Sequence, residues 1–108
     1  MTTIHYQKPI HVHFIGIGGI SMSGLAEILI KEGFPVSGSD AHESALTDKL
    51  AKQGATISYP QKAENITDDI DLVVYSAAIH EDNPEYAAAK AAGLPMIPRA
   101  ALLGQVMK

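Results

Sequence analysis

Short apolar runs alternate with stretches of helical periodicity along the chain. Several of these runs are predicted to be strands, because they are short, rich in apolar or β-branched residues and bounded by glycine, proline or polar residues. They cover residues 10–15, 34–37, 55–58, 70–75 and 95–97. The fourth run is apolar enough to indicate a strand that is covered on both faces of its sheet.

Helical spacing is found between these strands. A first helix is predicted over residues 20–31, because its apolar residues recur mainly at intervals of three and four. These residues are Ile20, Leu25, Ile28 and Leu29. Further helices are predicted over residues 45–53 and 99–107.

The remaining helix has the clearest boundaries in the sequence. Asn83 is a favoured N-cap residue, Pro84 suits the first helical position, and Gly93 ends the helix. Glu85 suits the first turn. This arrangement explains Asn83, Pro84 and Glu85 as a helix start, and none of them is assigned to a site.

Strands that alternate with helices imply right-handed βαβ crossovers and a parallel sheet. The predicted fold class is therefore α/β, a doubly wound five-stranded parallel sheet with flanking helices. The length of 108 residues is enough for one domain. Residues 1–9 are interpreted as a flexible lead-in, and residues 10–108 as the domain.

Composition and charge exclude several classes of protein. Hydrophobic residues make up 46% and charged residues 19%, as in an ordinary globular domain. Twelve acidic residues against eight basic ones give a net charge of −4, which argues against a nucleic-acid partner. No apolar run approaches the roughly 20 residues that span a bilayer, so no membrane partner is expected. The absence of cysteine excludes thiolate metal sites and cysteine nucleophiles and is compatible with the cytoplasm.

A glycine-rich segment between the first strand and the first helix carries the most specific chemistry. Glycines at positions 16, 18 and 19 allow a tight turn and a close approach of a ligand to the backbone. The unpaired amides and the positive end of the helix dipole suit a pyrophosphate group. Ser21 and Ser23 offer hydroxyl donors. The alternative is that these glycines form only a strand–helix turn.

Asp40 lies 24 residues after Gly16, where doubly wound domains place an acid on a ribose hydroxyl. The alternative is a solvated loop residue. The third glycine of the dinucleotide pattern G-x-G-x-x-G is replaced by Ser21, which is expected to place a side chain between the helix and the strand. This departure weakens the case for NAD and leaves a diphosphate ligand in general. The chain has no Gly-Lys dipeptide, so a phosphate-binding loop of the ATPase type is absent.

Several segments resemble the Mur ligases in the same order along the chain. They are residues 14–26 (FIGIGGISMSGLA), 36–40 (VSGSD), 74–79 (VYSAAI), 82–85 (DNPE) and 98–100 (PRA) with Leu103. The resemblance covers residues 11–108 and is greatest to the members that join L-alanine to UDP-N-acetylmuramate in peptidoglycan synthesis.

The resemblance implies that the chain is the first of three domains, a Rossmann-like module that binds the uridine diphosphate end of UDP-N-acetylmuramate. The domain that binds ATP and magnesium and the C-terminal domain are expected to lie outside the chain. The fragment alone is therefore expected to be inactive, and the whole enzyme to be a cytoplasmic ATP-dependent ligase. No catalytic residue is assigned within the chain.

The resemblance also assigns roles to individual residues. The diphosphate is expected to contact Gly16, Gly18, Gly19, Ser21, Met22 and Ser23. Asp40 is expected to hold the ribose or the uracil edge. At the end of the fourth strand, Ser76, Ala77, Ala78 and Ile79 are expected to lie beside the first strand, where doubly wound sheets bind ligands. Met22 has the alternative of packing beneath the loop.

Other polar residues leave two interpretations open. Arg99 could pair with phosphate or form a surface ion pair, and His80, like His42, could contact substrate or lie in solvent. His11 and His13 share a strand face, a spacing compatible with a metal, although packed or solvated histidines are the favoured interpretation. The acidic groups 68–71 and 81–85 are interpreted as solvated charges.

Two further functions are compatible with the sequence. One is a stand-alone NAD(H)-binding regulatory module without chemistry of its own, which the spacing of Gly16 and Asp40 allows. The other is the related ligase that attaches a recycled tripeptide to the same UDP sugar.

Overall fold

The computed structural model describes residues 10–76 and 78–99. The lead-in at 1–9, the site residue Ala77 and all of the predicted last helix except its first residue, Arg99, lie outside the described residues. Among those described, every helix is too short or too polar to cross a bilayer.

The chain alternates strands and helices as the sequence predicts. The strands are β1 (Val12–Ile15), β2 (Val36–Ser39), β3 (Thr56–Ser58), β4 (Leu72–Tyr75) and β5 (Met96–Pro98). The helices are α1 (Ile20–Lys31), α2 (Ala45–Lys52) and α3 (Pro84–Ala91), and a short 3-10 helix (Ala63–Asn65) lies between β3 and β4. All strands pair in parallel in the order β3-β2-β1-β4-β5, which confirms the predicted fold class.

The sheet separates two apolar clusters. Val12 and Phe14 of β1 point toward α1 and α2, where they pack with Leu29 and Leu50. Ile15 and Val73 point the other way, toward Ala89 of α3. Central strands are therefore covered on both faces, as the apolar fourth strand predicts.

Helix α1 buries a different stripe from the one that the sequence suggests. Its buried apolar residues are Met22, Leu25, Ala26 and Leu29. Ile20 is 85% exposed and Ile28 is 36% exposed, although both belong to the apolar spacing that predicts the helix. Ala26 and Met22 belong to the same apolar cluster as Val12 and Phe14 of β1.

Strand β2 lies two residues further along than predicted. Its register is set by β1, since Val36 pairs with Val12 and Ser39 with Ile15. Pro35 precedes the strand and supplies only its carbonyl, which accepts the N–H of Val12 at 3.0 Å. This displacement brings Ser39 and Asp40 to the carboxyl end of β2, beside the loop that follows β1.

Local capping explains where the other helices begin. The Ser44 hydroxyl accepts the N–H of Thr47 at 3.3 Å, and the Thr47 hydroxyl accepts the N–H of Ser44 at 2.8 Å, so that α2 starts with a reciprocal capping pair. The Asn83 side chain accepts the N–H groups of Glu85 and Tyr86, which confirms Asn83 as the N-cap of α3.

Candidate functional site

The loop after β1 is anchored to the end of β2. The N–H groups of Gly16 and Ile17 both donate to the carbonyl of Ser39, at 2.9 Å each. Gly16 has a φ of +81°, a backbone conformation that favours glycine. Ile17 is fully buried over Gly38, where an added Cβ would come within 2.5 Å of the Ile17 side chain. The loop therefore has one defined path from β1 into α1.

The first turn of α1 presents unpaired donors. Gly19 is the N-cap residue and has no side chain to satisfy the helix N–H groups. The N–H groups of Ile20, Ser21 and Met22 have no acceptor among the described residues, whereas the N–H of Ser23 donates to Gly19. Three free donors at the positive end of a helix dipole form a site suited to an anion.

An open cavity of about 400 Å³ faces these donors. It is lined by Gly16, Gly19, Ile20, Ser21, Met22, Ser76, Ala78 and Arg99. The ends of β1, β4 and β5 thus meet at one edge of the sheet, and most of the residues assigned from the sequence are brought together there. The Ile79 side chain lies 3.8 Å from the position of a Cβ on Gly16, at the border of the cavity.

Asp40 contacts the glycine loop directly. One carboxylate oxygen accepts the N–H of Gly18 at 2.8 Å, and the other accepts the N–H of Ala41 at 2.8 Å. A Cβ on Gly18 would lie 2.6 Å from the carboxylate, so the contact requires glycine there. The Gly18 N–H is consequently used inside the protein, while each oxygen of Asp40 keeps lone pairs for a ligand hydroxyl.

Two serines of the loop have different surroundings. Ser21 is exposed at the cavity, so the expectation that its side chain lies between helix and strand was wrong. Ser23 is 8% exposed, and its hydroxyl donates to the carbonyl of Ile20 at 3.0 Å. The Met22 side chain is buried in the core, so Met22 can offer the cavity its backbone N–H.

The histidines considered in the sequence do not line the cavity of about 400 Å³. His42 and His80 are exposed. The His11 ring contacts Ser37 at 2.7 Å and the carbonyl of Asp69 at 3.2 Å. The described residues contain no group of three histidine or acidic side chains that could hold a metal ion.

Sequence reasoning missed a buried polar network on the α3 face of the sheet. Glu85 was interpreted as one of a group of solvated charges, but it is fully buried, and that interpretation was wrong. Its Oε1 lies 2.7 Å from Nε2 of His13 and accepts the Ser39 hydroxyl at 2.6 Å. Its Oε2 accepts the backbone N–H of Lys62 at 3.1 Å and the side-chain amide of Asn65 at 2.7 Å.

Opposing effects act on the Glu85 carboxyl group. Burial by itself would raise its pKa, because it disfavours the charged form. The hydrogen bonds from His13, Asn65 and Ser39 outweigh burial and hold the pKa below the ordinary value. Glu85 is therefore a buried anion that is fully solvated by protein donors.

One sequence signal could have revealed this network. The strands β1, β2 and β3, together with the residue that precedes β1, carry polar residues at alternate positions, although a parallel sheet is normally apolar on both faces. The set is His11 and His13, Ser37 and Ser39, and Thr56 and Ser58. Such a polar stripe predicts a buried acceptor or a polar cavity. The structure has both, the cavity being about 330 Å³ in volume.

Residues 11–108 match the Mur ligase family, catalytic domain. The chain is 68% identical to a UDP-N-acetylmuramate--L-alanine ligase of Lachnospira eligens over 107 residues, which are 99% of this chain and 23% of that relative. The chain therefore spans about a quarter of the length of this relative.

Solved structures show the same fold. The UDP-N-acetylmuramate-alanine ligase from Thermotoga maritima superposes with a TM-score of 0.86 at 36% identity, over 91% of this chain and 23% of that one. The UDP-N-acetylmuramate:L-alanyl-gamma-D-glutamyl-meso-diaminopimelate ligase from Neisseria meningitides gives 0.83 at 30% identity, over 91% of this chain and 31% of that one.

Proposed function

The chain belongs to the Mur ligase family, and from this premise we propose that it binds the uridine diphosphate part of UDP-N-acetylmuramate for a ligase that attaches L-alanine. The observation that carries the proposal is the cavity at the carboxyl edge of the sheet. It is lined by the three residues of α1 whose N–H groups are unpaired, and by Ser76 and Arg99. These donors match the chemistry of a diphosphate.

The roles of the individual residues follow from the contacts. The N–H groups of Ile20, Ser21 and Met22 would hold phosphate oxygens, with the Ser21 hydroxyl and Arg99 beside them. Asp40 would accept a ribose hydroxyl with lone pairs that Gly18 and Ala41 leave free. Ala78, which lines the cavity, would border the ligand on the β4 side.

The proposal assigns no chemical step to this chain. A Mur ligase that attaches L-alanine would use ATP with Mg²⁺ to activate the carboxylate of its substrate. The described residues offer no metal-binding group, and the sequence has no Gly-Lys dipeptide for an ATP phosphate loop. We therefore propose a nucleotide sugar, and not Mg-ATP, as the ligand of these residues. We place the longer protein in the cytoplasm, where nucleotide sugars and ATP meet.

The test is an NMR titration of the isotopically labelled chain with UDP, UDP-N-acetylmuramate and NAD⁺ in separate experiments. We expect both uridine ligands to shift amides of residues 16–24, most strongly those with unpaired N–H groups. A titration in which UDP and UDP-N-acetylmuramate leave these amides unmoved would reject the site. Tighter binding of NAD⁺ than of UDP would favour a dinucleotide-binding regulatory module instead.

A further inference from the structure

Glu85 does not line the cavity of about 400 Å³, but its carboxylate joins several elements of the fold. Its carboxylate receives donors from β1 through His13, from β2 through Ser39, and from the β3–β4 connection through Lys62 and Asn65. Each carboxylate oxygen has two partners. The side chain is fully buried, so water cannot replace a partner that moves away.

Ser39 links this carboxylate to the glycine loop. Its hydroxyl donates to Glu85 at 2.6 Å, while its carbonyl accepts the N–H groups of Gly16 and Ile17. The next residue, Asp40, holds the N–H of Gly18 at 2.8 Å. A shift of Ser39 would therefore move both anchors of the loop.

A role in stability alone does not explain such an arrangement well. Replacing a buried ion pair by packed apolar residues is often neutral or stabilising, because desolvation offsets much of the attraction. A carboxylate whose two oxygens both accept two hydrogen bonds holds its donor groups in fixed positions. Here one of those donors, Ser39, leads to the loop that faces the cavity.

We propose that Glu85 is a positioning residue for the diphosphate site. It fixes the end of β2, through Ser39, and so holds the glycine loop that leads into the first turn of α1, where the unpaired N–H groups lie. The proposal rests on the proposed function for its ligand but not for its effect on the loop.

The test compares Glu85→Gln with Glu81→Gln, an exposed glutamate four residues earlier. If the amide at position 85 turns its NH2 toward Lys62, it confronts the backbone N–H of Lys62, which cannot accept. If it turns its NH2 toward His13 and Ser39, both must change from donor to acceptor. We expect UDP affinity to fall about tenfold in Glu85→Gln and to stay unchanged in Glu81→Gln. Ser39→Ala, which removes only the linking hydroxyl, should weaken binding in the same direction and serves if Glu85→Gln does not fold.

Hydrogen exchange separates a local effect from a global one. We expect the amides of Gly16 and Ile17 to exchange faster in Glu85→Gln, relative to the amide of Val74 in the central sheet. A rescue variant adds Asn65→Asp, so that the new amide at position 85 can donate to a carboxylate. This double variant should recover part of the lost UDP affinity.

The outcomes distinguish the two proposals. If the unaltered chain fails to bind UDP, the proposed function fails, and the exchange of Gly16 and Ile17 still tests the positioning role. If Glu85→Gln lowers stability but keeps normal UDP affinity and normal relative exchange at these amides, Glu85 is structural only and the inference is overturned.

Discussion

At the scale of single residues, the loop glycines are required for different reasons. Gly16 has a positive φ, and Gly18 leaves room for the Asp40 carboxylate. Gly19 has an ordinary extended backbone, and a Cβ there would meet the nearest protein atom at 3.6 Å, a normal contact. The fold itself therefore accepts a side chain at position 19. A side chain there would obstruct only a ligand that approaches the backbone.

We predict that Gly19→Ala weakens UDP binding about tenfold or more, because the methyl group stands where the backbone approaches a phosphate. Stability should change by about 1 kcal/mol or less, since alanine is only a poorer N-cap than glycine. Calorimetric titration and urea unfolding measure the two quantities. Gly24→Ala, the same change on the exposed side of α1 with open space around it, is the matched control and should bind UDP normally.

The sequence assigns the glycine loop and Asp40 to one phosphate-binding site, which stays a prediction, and it gives a far weaker signal for the buried network. Glycines after the first strand, with Asp40 at the end of the second, have a spacing along the chain that predicts a nucleotide-binding role. His13 and Glu85 lie 72 residues apart, and no spacing rule joins them. Only the order of the strands brings Ser39 and His13 together beneath the start of α3, so the burial of Glu85 depends on the assembled sheet.

At the scale of elements, the three α-helices end in the same way. Gly33, Gly54 and Gly93 follow α1, α2 and α3 with φ values of +91°, +115° and +73°. A Cβ at any of them would meet nothing within 4 Å. The requirement for glycine is therefore one of backbone conformation alone.

We predict that Gly33→Ala, Gly54→Ala and Gly93→Ala each lower the free energy of unfolding by about 1–2 kcal/mol without changing UDP affinity. The control variant should change the free energy of unfolding in the opposite direction. Gly24 lies inside α1 in open space, so Gly24→Ala should raise stability by about 0.5–1 kcal/mol. Urea unfolding curves measure all four. A stabilising effect at position 33 would contradict the argument.

The elements themselves were largely predictable, and the exceptions have physical causes. Helix α1 spans residues 20–31 as predicted because its glycine boundaries are local signals. The face that α1 buries could not be predicted from its own residues, because the exposed Ile20 and Ile28 are as apolar as the buried ones. The limits of β2 depended on pairing with β1, which no property of residues 34–37 specifies.

At the scale of the whole molecule, acid should unfold the protein through Glu85. Its folded pKa lies below the ordinary value of 4.5, so its stabilising contribution is present above that pH. The contribution is lost as the pH falls through the folded pKa, because the neutral acid no longer accepts all its donors. Removing one partner of such a buried pair typically costs about 3–5 kcal/mol.

We predict that the free energy of unfolding is steady from pH 7 to about pH 5 and then falls. Glu85→Gln should be less stable at neutral pH and should lose less on acidification. Unfolding by urea at several pH values measures both slopes. Equal acid slopes for the two proteins would show that other carboxylates control acid unfolding.

The central position of β1 has a consequence for how ligand and fold affect each other. Residues from the ends of β1, β4 and β5 line the cavity, and Asp40 follows β2, whereas β2 and β4 pair with β1 from opposite sides. A bound uridine diphosphate, with its phosphates in the cavity and its ribose at Asp40, can contact all of them only when both halves of the sheet pair with β1. Ligand binding and the pairing of the two halves of the sheet are then thermodynamically linked. If pairing of the halves strengthens ligand binding, the bound ligand stabilises that pairing by the same free energy.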